Sequence, residues 1–221
     1  MNPLPLDGFA EVTSDLVRLT HLVGSAMHTA TQALLESDLH KAESVIDEDA
    51  DVDAVTSDIE SQCLELLGQG GLTEPDLRVV IGALRMAASL ERMGDLAEHV
   101  AKQARLRYPR SSIPAELQPI FATMGELAEE IVTMTGQVIQ TRDVSLTTDI
   151  ARHDTQVDQL HRDLFTTVLS PAWTHGVEAA IDVTLLSRYY ERYADHAVSV
   201  TRRVVTIVTG APYVGVSLDE L

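Results

Sequence analysis

The chain repeats itself, and that limits the folds open to it. From Asp49 it reads DADVDAV and from Asp154 DTQVDQL, which share Asp-x-x-Val-Asp. From Glu91 it reads ERMGDLA and from Glu191 ERYADHA, which share Glu-Arg-x-x-Asp-x-Ala. The first pair is offset by 105 residues and the second by 100, a difference that one longer loop between the two motifs of the first repeat would explain. Two copies of one structural unit, in tandem, are therefore expected.

The unit is helical. Six segments carry apolar residues at three- and four-residue steps, separated by short breakers, and almost nothing alternates as a strand would. Gly8 to Leu35 sets Phe9, Val12, Leu16, Leu19, Val23 and Met27 on one face. Leu39 to Leu67 ends in the glycine turn of Gly68 to Gly71, and TEPD at Thr73 opens a third segment that runs to Arg107. YPRSSIP, from Tyr108 to Pro114, gathers prolines and serines and marks a boundary. A fourth segment runs to Gln140, with Pro119 tolerable only in its first turn, a fifth from Val144 to Leu169, and a sixth from Val177 to Val208. Aromatic residues are 4% of the chain against 45% hydrophobic overall, so the core must be built from aliphatic side chains, which suits helix on helix. The predicted fold is all-α: two tandem antiparallel three-helix bundles, residues 8–108 and 114–210. Tyr108, Trp173, Tyr189, Tyr190 and Tyr213 are expected to be packing residues, and Cys63 a small buried one.

Residues four apart share a helix face, so Asp49 with Asp53, Glu91 with Asp95, Asp154 with Asp158, and Glu191 with Asp195 each set two carboxylates side by side. In the third segment Leu77, Ile81, Leu84 and Ala88 lead at helical spacing into Glu91 and Asp95, and we expect this stripe to face the core. In the fifth, Asp154 shares a stripe with Ile150, Val157, Leu164 and Val168. Carboxylates on a packing face need neutralising by a cation, a basic side chain or a proton. Eight clustered carboxylates favour a multivalent cation, and oxygen ligation suits magnesium, manganese or iron. Two other readings stay open. The acids could pair with Arg85, Arg92, Arg188 and Arg192 in a metal-free helical adaptor, or lie on a solvated face.

Through both Asp-x-x-Val-Asp segments, both Glu-Arg-x-x-Asp-x-Ala segments, and DLR at Asp76 to Arg78, the chain resembles the PhoU family of bacterial phosphate-signalling regulators over Phe9 to Gly210. The resemblance implies two three-helix bundles whose acidic motifs bind multinuclear iron or other divalent metal. It carries ligand roles to Asp49, Asp53, Glu91, Asp95, Asp154, Asp158, Glu191 and Asp195. It also implies a regulator without catalysis that keeps the phosphate-starvation response off, acting between the ATPase of a phosphate ABC transporter and a sensor histidine kinase. The family often continues its third-helix motif as His-Ala-x-Asn-Ile-Ala, whereas here LAEHVA follows Asp95's glycine-aspartate pair and HAVSVT follows Asp195. Leu96 stands where the first repeat would carry a histidine, so His196 has no repeat partner and is read as a packing or surface residue, not a ligand.

An enzyme is the rival class. Ferritin-like di-iron sites need Glu-x-x-His, and no glutamate here has a histidine three residues later. His153-Asp154 could be the dyad of a metal phosphohydrolase, but further histidines are lacking and the repeat already accounts for Asp154. A net charge of −18 repels nucleic acid and anionic membranes and favours cations or basic partner surfaces. MNPLPLDGFA lacks the basic and apolar runs of a secretory signal, no apolar run is long enough to span a membrane, and a lone cysteine forms no internal disulfide, so a soluble cytoplasmic protein is expected. A homodimer stays open, since no stripe is clearly left over for a second subunit.

Overall fold

The computed structural model describes residues 6–211, and six α-helices fill most of that span. Tyr213 and the amino-terminal MNPLP lie outside the described residues. Helix α1 runs Leu6–Glu36 and turns at Ser37, in the left-handed region at φ 53°. Helix α2, Leu39–Gln69, is capped by Asp38, whose carboxylate accepts from the His40 and Lys41 amides. Gly70 (φ 71°) and Gly71 (φ 76°) supply positive φ that a side chain would resist, and so stop it. Helix α3, Glu74–Arg107, opens as the TEPD signature predicts: Pro75 sits in the first turn, and Asp76 accepts from the Thr73 amide at 2.8 Å and hydroxyl at 2.6 Å.

The second half follows the same plan. Helix α4 spans Gln118–Thr141 with Pro119 in its first turn, where the missing amide costs nothing. Helix α5 spans Thr147–Val168 behind a short 3-10 turn, Val144–Leu146, that Asp143 caps. Helix α6, Gly176–Thr209, ends at Gly210 (φ 72°). No strand occurs among the described residues.

Helices α1, α2 and α3 pack on one another, as do α4, α5 and α6, and the halves meet through α1 against α4 and α3 against α6. One apolar cluster runs through both bundles, with Leu19, Val23 and Met27 of α1, Leu90 and Met93 of α3, Phe121, Met124 and Ile131 of α4, and Tyr190 and Tyr193 of α6 fully buried. Small residues set the spacing between halves. A β-carbon on Gly125 would lie 2.6 Å from Thr31 Cγ2, and one on Gly136 2.7 Å from Thr20 Oγ1, so α1 and α4 approach more closely than alanine would allow. Both deep tyrosines find acceptors on α1. Thr31 donates to the Met27 carbonyl at 2.8 Å, which leaves Tyr190 to donate to the Thr31 hydroxyl at 2.8 Å, and Tyr193 donates to the Val23 carbonyl at 3.1 Å. An unpaired hydroxyl at that depth would cost about 1–3 kcal/mol.

Three expectations are corrected. The stripe Leu77, Ile81, Leu84 and Ala88 does not face the core: Leu77 is 39% and Ile81 49% exposed, Ala88 is exposed, and only Leu84 is half-buried. The core face of α3 is Val80, Ala83, Ala87, Leu90 and Ala97, because a helix enclosed by α1, α2 and α6 uses its small residues for close packing and turns larger ones outward. The difference between the repeat offsets is not a longer loop. The connection after α2, 70–73, is shorter than that after α5, 169–175; the extra residues are helical, since α2 continues from Asp49 to Gln69 while α5 stops at Val168 after Asp154. Tyr108, at 50% exposure, is not a packing residue, whereas Tyr190 is fully buried and Tyr189 and Trp173 pack partly against the core.

Candidate metal centre

The acidic motifs fall midway along their helices, in the groove between the second and third helix of each bundle. In the first bundle Asp49 is half-buried and Asp53 exposed on α2, while Glu91 and Asp95 are half-buried on α3. Gly94 lets the helices close on this point: a β-carbon there would stand 3.1 Å from Val52 Cγ1 and 3.3 Å from Asp49 Oδ1. Burial, then the neighbouring carboxylates of Glu98, Asp53 and Asp95, push the Asp49 carboxyl up to about 6, with Lys102 pulling the other way. Three of the four predicted residues are thus brought together electrostatically, joined by Glu98, which sequence reasoning missed. Its signal was available, because Glu98 lies one turn beyond Asp95 on the same face. Lys102 pairs with Glu98 and Arg92 with Asp95, at 2.7 Å for the latter.

The second bundle gathers all four of its predicted acids. Asp154, in line with the buried Ile150 and Val157, is pushed up to about 7 by burial and then by Asp158, Asp195 and Glu191, against the pull of Arg202. Glu191 is raised by burial, Asp195 and Asp158, although Arg188 pairs with it. Asp154 Oδ1 and Glu191 Oε2 are buried without any hydrogen-bond partner among the described residues. His161 lies at the edge, bonded to the Ser187 hydroxyl at 2.9 Å, and burial and then Arg188 hold its pKa below the ordinary imidazole value.

These are carboxylates short of positive charge. Arg92 and Arg188 each take one acid and Arg202 pulls on Asp154, while Arg85 and Arg192 form no ion pair among the described residues. Orphaned buried oxygens and raised carboxyl pKa values fit an oxygen-ligated divalent cation. As the side chains stand, no three acid, imidazole or thiol groups among the described residues converge to hold an ion, so ligation would need carboxylates to turn inward. His153 stands 3.5 Å from Glu130 of α4. His196 is half-buried, and its pKa is held down by burial, then by Arg192.

The chain matches the PhoU domain model twice, over residues 16–104 and 121–204. It is 43% identical over 202 residues to a Mycobacterium tuberculosis protein described as phosphate-specific transport system accessory protein PhoU homolog 2, an alignment covering 91% of this chain and 95% of that one. It is 42% identical to a Mycobacterium leprae protein described as PhoU homolog 1, over 91% of each. Its fold matches the crystal structure of the phosphate transport system regulatory protein PhoU from Streptococcus pneumoniae with a TM-score of 0.83 and 25% identity, covering 93% of this chain and 97% of that one. PhoU from Pseudomonas aeruginosa superposes with a TM-score of 0.81 over 92% of this chain and 98% of that one, at 23% identity. Repeated motifs, paired three-helix bundles and full-length identity to several members agree, and the chain belongs to the PhoU family.

Proposed function

We propose that this protein is a cytoplasmic, non-catalytic regulator of phosphate uptake that keeps the phosphate-starvation response off when phosphate is plentiful. Relatives described as phosphate-specific transport system accessory proteins, matched over nearly the whole chain, support the role. Its partners are the ATPase of a phosphate ABC transporter and a sensor histidine kinase, and the long acidic helices suit docking on basic surfaces. Among the described residues no helix is long and apolar enough to cross a membrane. Each repeat, residues 8–108 and 114–210, carries one divalent metal centre: Asp49, Asp53, Glu91 and Asp95 in the first, Asp154, Asp158, Glu191 and Asp195 in the second. Iron, manganese or magnesium would supply the positive charge these acids lack. The observation that carries the metal reading is the pair of orphaned buried oxygens on Asp154 and Glu191.

Deleting the gene in its host and measuring alkaline phosphatase in phosphate-rich medium tests the role: strong activity is expected, and unchanged activity would refute it. Elemental analysis of protein purified without chelator tests the metal. The Arg92–Asp95 and Arg188–Glu191 pairs favour a metal-free adaptor as the second reading. Negligible metal, with no gain in Tm on adding manganese or iron, would establish that reading instead.

A further inference from the structure

Helices α3 and α6 run antiparallel, and the offset of 100 residues makes the two ends of their seam equivalent. At one end Arg107 of α3 is sealed by α6: its Nε donates to Asp182 Oδ2 at 2.7 Å, its Nη2 to Asp182 Oδ1 at 3.0 Å, and its Nη1 to Glu178. Gln103 Nε2 donates to Asp182 Oδ1 at 2.6 Å, and Asp182 is only 4% exposed. Carboxylate, guanidinium and amide are all satisfied there.

At the other end every one of these residues is replaced. Gly82 stands for Asp182, Ile207 for Arg107, Arg203 for Gln103, Arg78 for Glu178, and Arg85 for Leu185. The buried carboxylate is gone and the guanidinium of Arg107 has given way to the apolar Ile207, while Gln103, Glu178 and Leu185 have the cationic counterparts Arg203, Arg78 and Arg85. They line a cleft of about 540 Å³, with Leu77, Ile81 and Ile207 as its apolar wall. The volume lies in the range of small-molecule sites. Gly82 forms the floor, since a β-carbon there would stand 2.6 Å from Ile207 Cδ1. Gly210 makes room for Arg78, whose Nη1 would lie 2.8 Å from a β-carbon at that position. Among the described residues Arg78 forms an ion pair with Glu74 alone. Among the described residues Arg85 has no ion pair, and Arg203 has none either, its Nε being buried with no hydrogen-bond partner. Burial and the adjacent Arg85 both hold the Arg203 pKa below its ordinary value. Among the described residues, two arginines side by side in a chain of net charge −18 have no carboxylate paired with them.

We infer that the α3–α6 cleft at Arg78, Arg85 and Arg203 binds a phosphate oxyanion, which supplies the counter-charge that the Asp182 carboxylate supplies at the other end. The planar donor fork of arginine matches phosphate oxygens, and the apolar wall leaves space for an organic body, so free phosphate and a phosphate monoester share this recognition. The site needs neither the acidic centres nor a partner protein.

The test is isothermal titration calorimetry of the chelator-treated full chain with inorganic phosphate and, separately, with AMP. Arg203→Gln and Arg85→Leu install the residues that the other repeat already carries at the equivalent positions. Saturable binding is expected, weakened at least tenfold by either substitution, abolished by both, and unchanged by Asp154→Asn with Glu191→Gln. AMP binding no tighter than phosphate identifies the free anion as occupant, and AMP binding tenfold tighter identifies an ester; both uphold the site. No saturable binding of either probe overturns the inference. So does binding that survives in the doubly substituted arginine variant with native circular dichroism, or that is lost only in the acid variant.

Discussion

Asp154 is a carboxyl that burial, and then its acidic neighbours, keep protonated well above the ordinary carboxylate range. Its folded pKa, near 7, lies well above the ordinary 3.8, so the folded chain holds more protons than the unfolded one across that window. The stability it contributes is therefore complete below about pH 4 and is lost as pH rises to about 7, where the site must carry an uncompensated charge. In chelator, Asp154→Asn is expected to raise stability at pH 8 by about 1 kcal/mol, a figure reduced for the water that reaches the site, and to leave it unchanged at pH 4. Denaturant titrations at the two pH values check this. Manganese should raise the Tm of the parent protein and do so far less for the variant, because the ion would supply the charge that the asparagine no longer needs. Tyr190→Phe tests a different buried polar group: removing its hydrogen bond to Thr31 should cost about 1 kcal/mol, read by the same titration.

At the scale of helices, spacing between elements depends on residues that sequence patterns pass over. Gly125→Ala would gain up to about 1 kcal/mol in helix propensity but push a methyl against Thr31, and overpacking of about 1–3 kcal/mol should win, giving a net loss in stability by urea unfolding. The helices themselves were legible. Segment ends fell within a few residues of the observed ones because TEPD, Gly70, Pro119 and Gly210 punctuate the chain with local chemistry. The repeated motifs picked out Asp49, Asp154 and Glu191, whose carboxyls burial raises, together with Asp53 and Asp195, which are exposed. The facing of α3 was not legible. Its packed side is lined by Ala83, Ala87 and Ala97, so a rule that looks for large apolar residues picks the half-exposed Leu77 and Ile81 instead. Glu98 escaped because it lies outside the repeated motif, and its closeness to Asp49 exists only once α2 and α3 are packed.

For the whole molecule, one core threads both bundles, so thermal unfolding should be a single transition and not two. The two ends of the α3–α6 seam should respond oppositely to loss of charge. Asp182→Ala strands a guanidinium that bridges the halves, and should lower Tm by roughly 5 °C or more. Arg203→Gln removes a cation that has no carboxylate paired with it among the described residues and should leave Tm unchanged or higher in phosphate-free buffer, as differential scanning calorimetry would record. The seam also has the geometry of a homodimer interface. Gly82 faces Ile207 as Asp182 faces Arg107, residue i against j and j against i, the isologous pattern of two identical subunits. In a true homodimer any substitution appears at both ends at once, so sealing one end with an ion pair would seal the other. In a single chain that carries both copies the constraint is absent, so one end can be a strut while its twin is open.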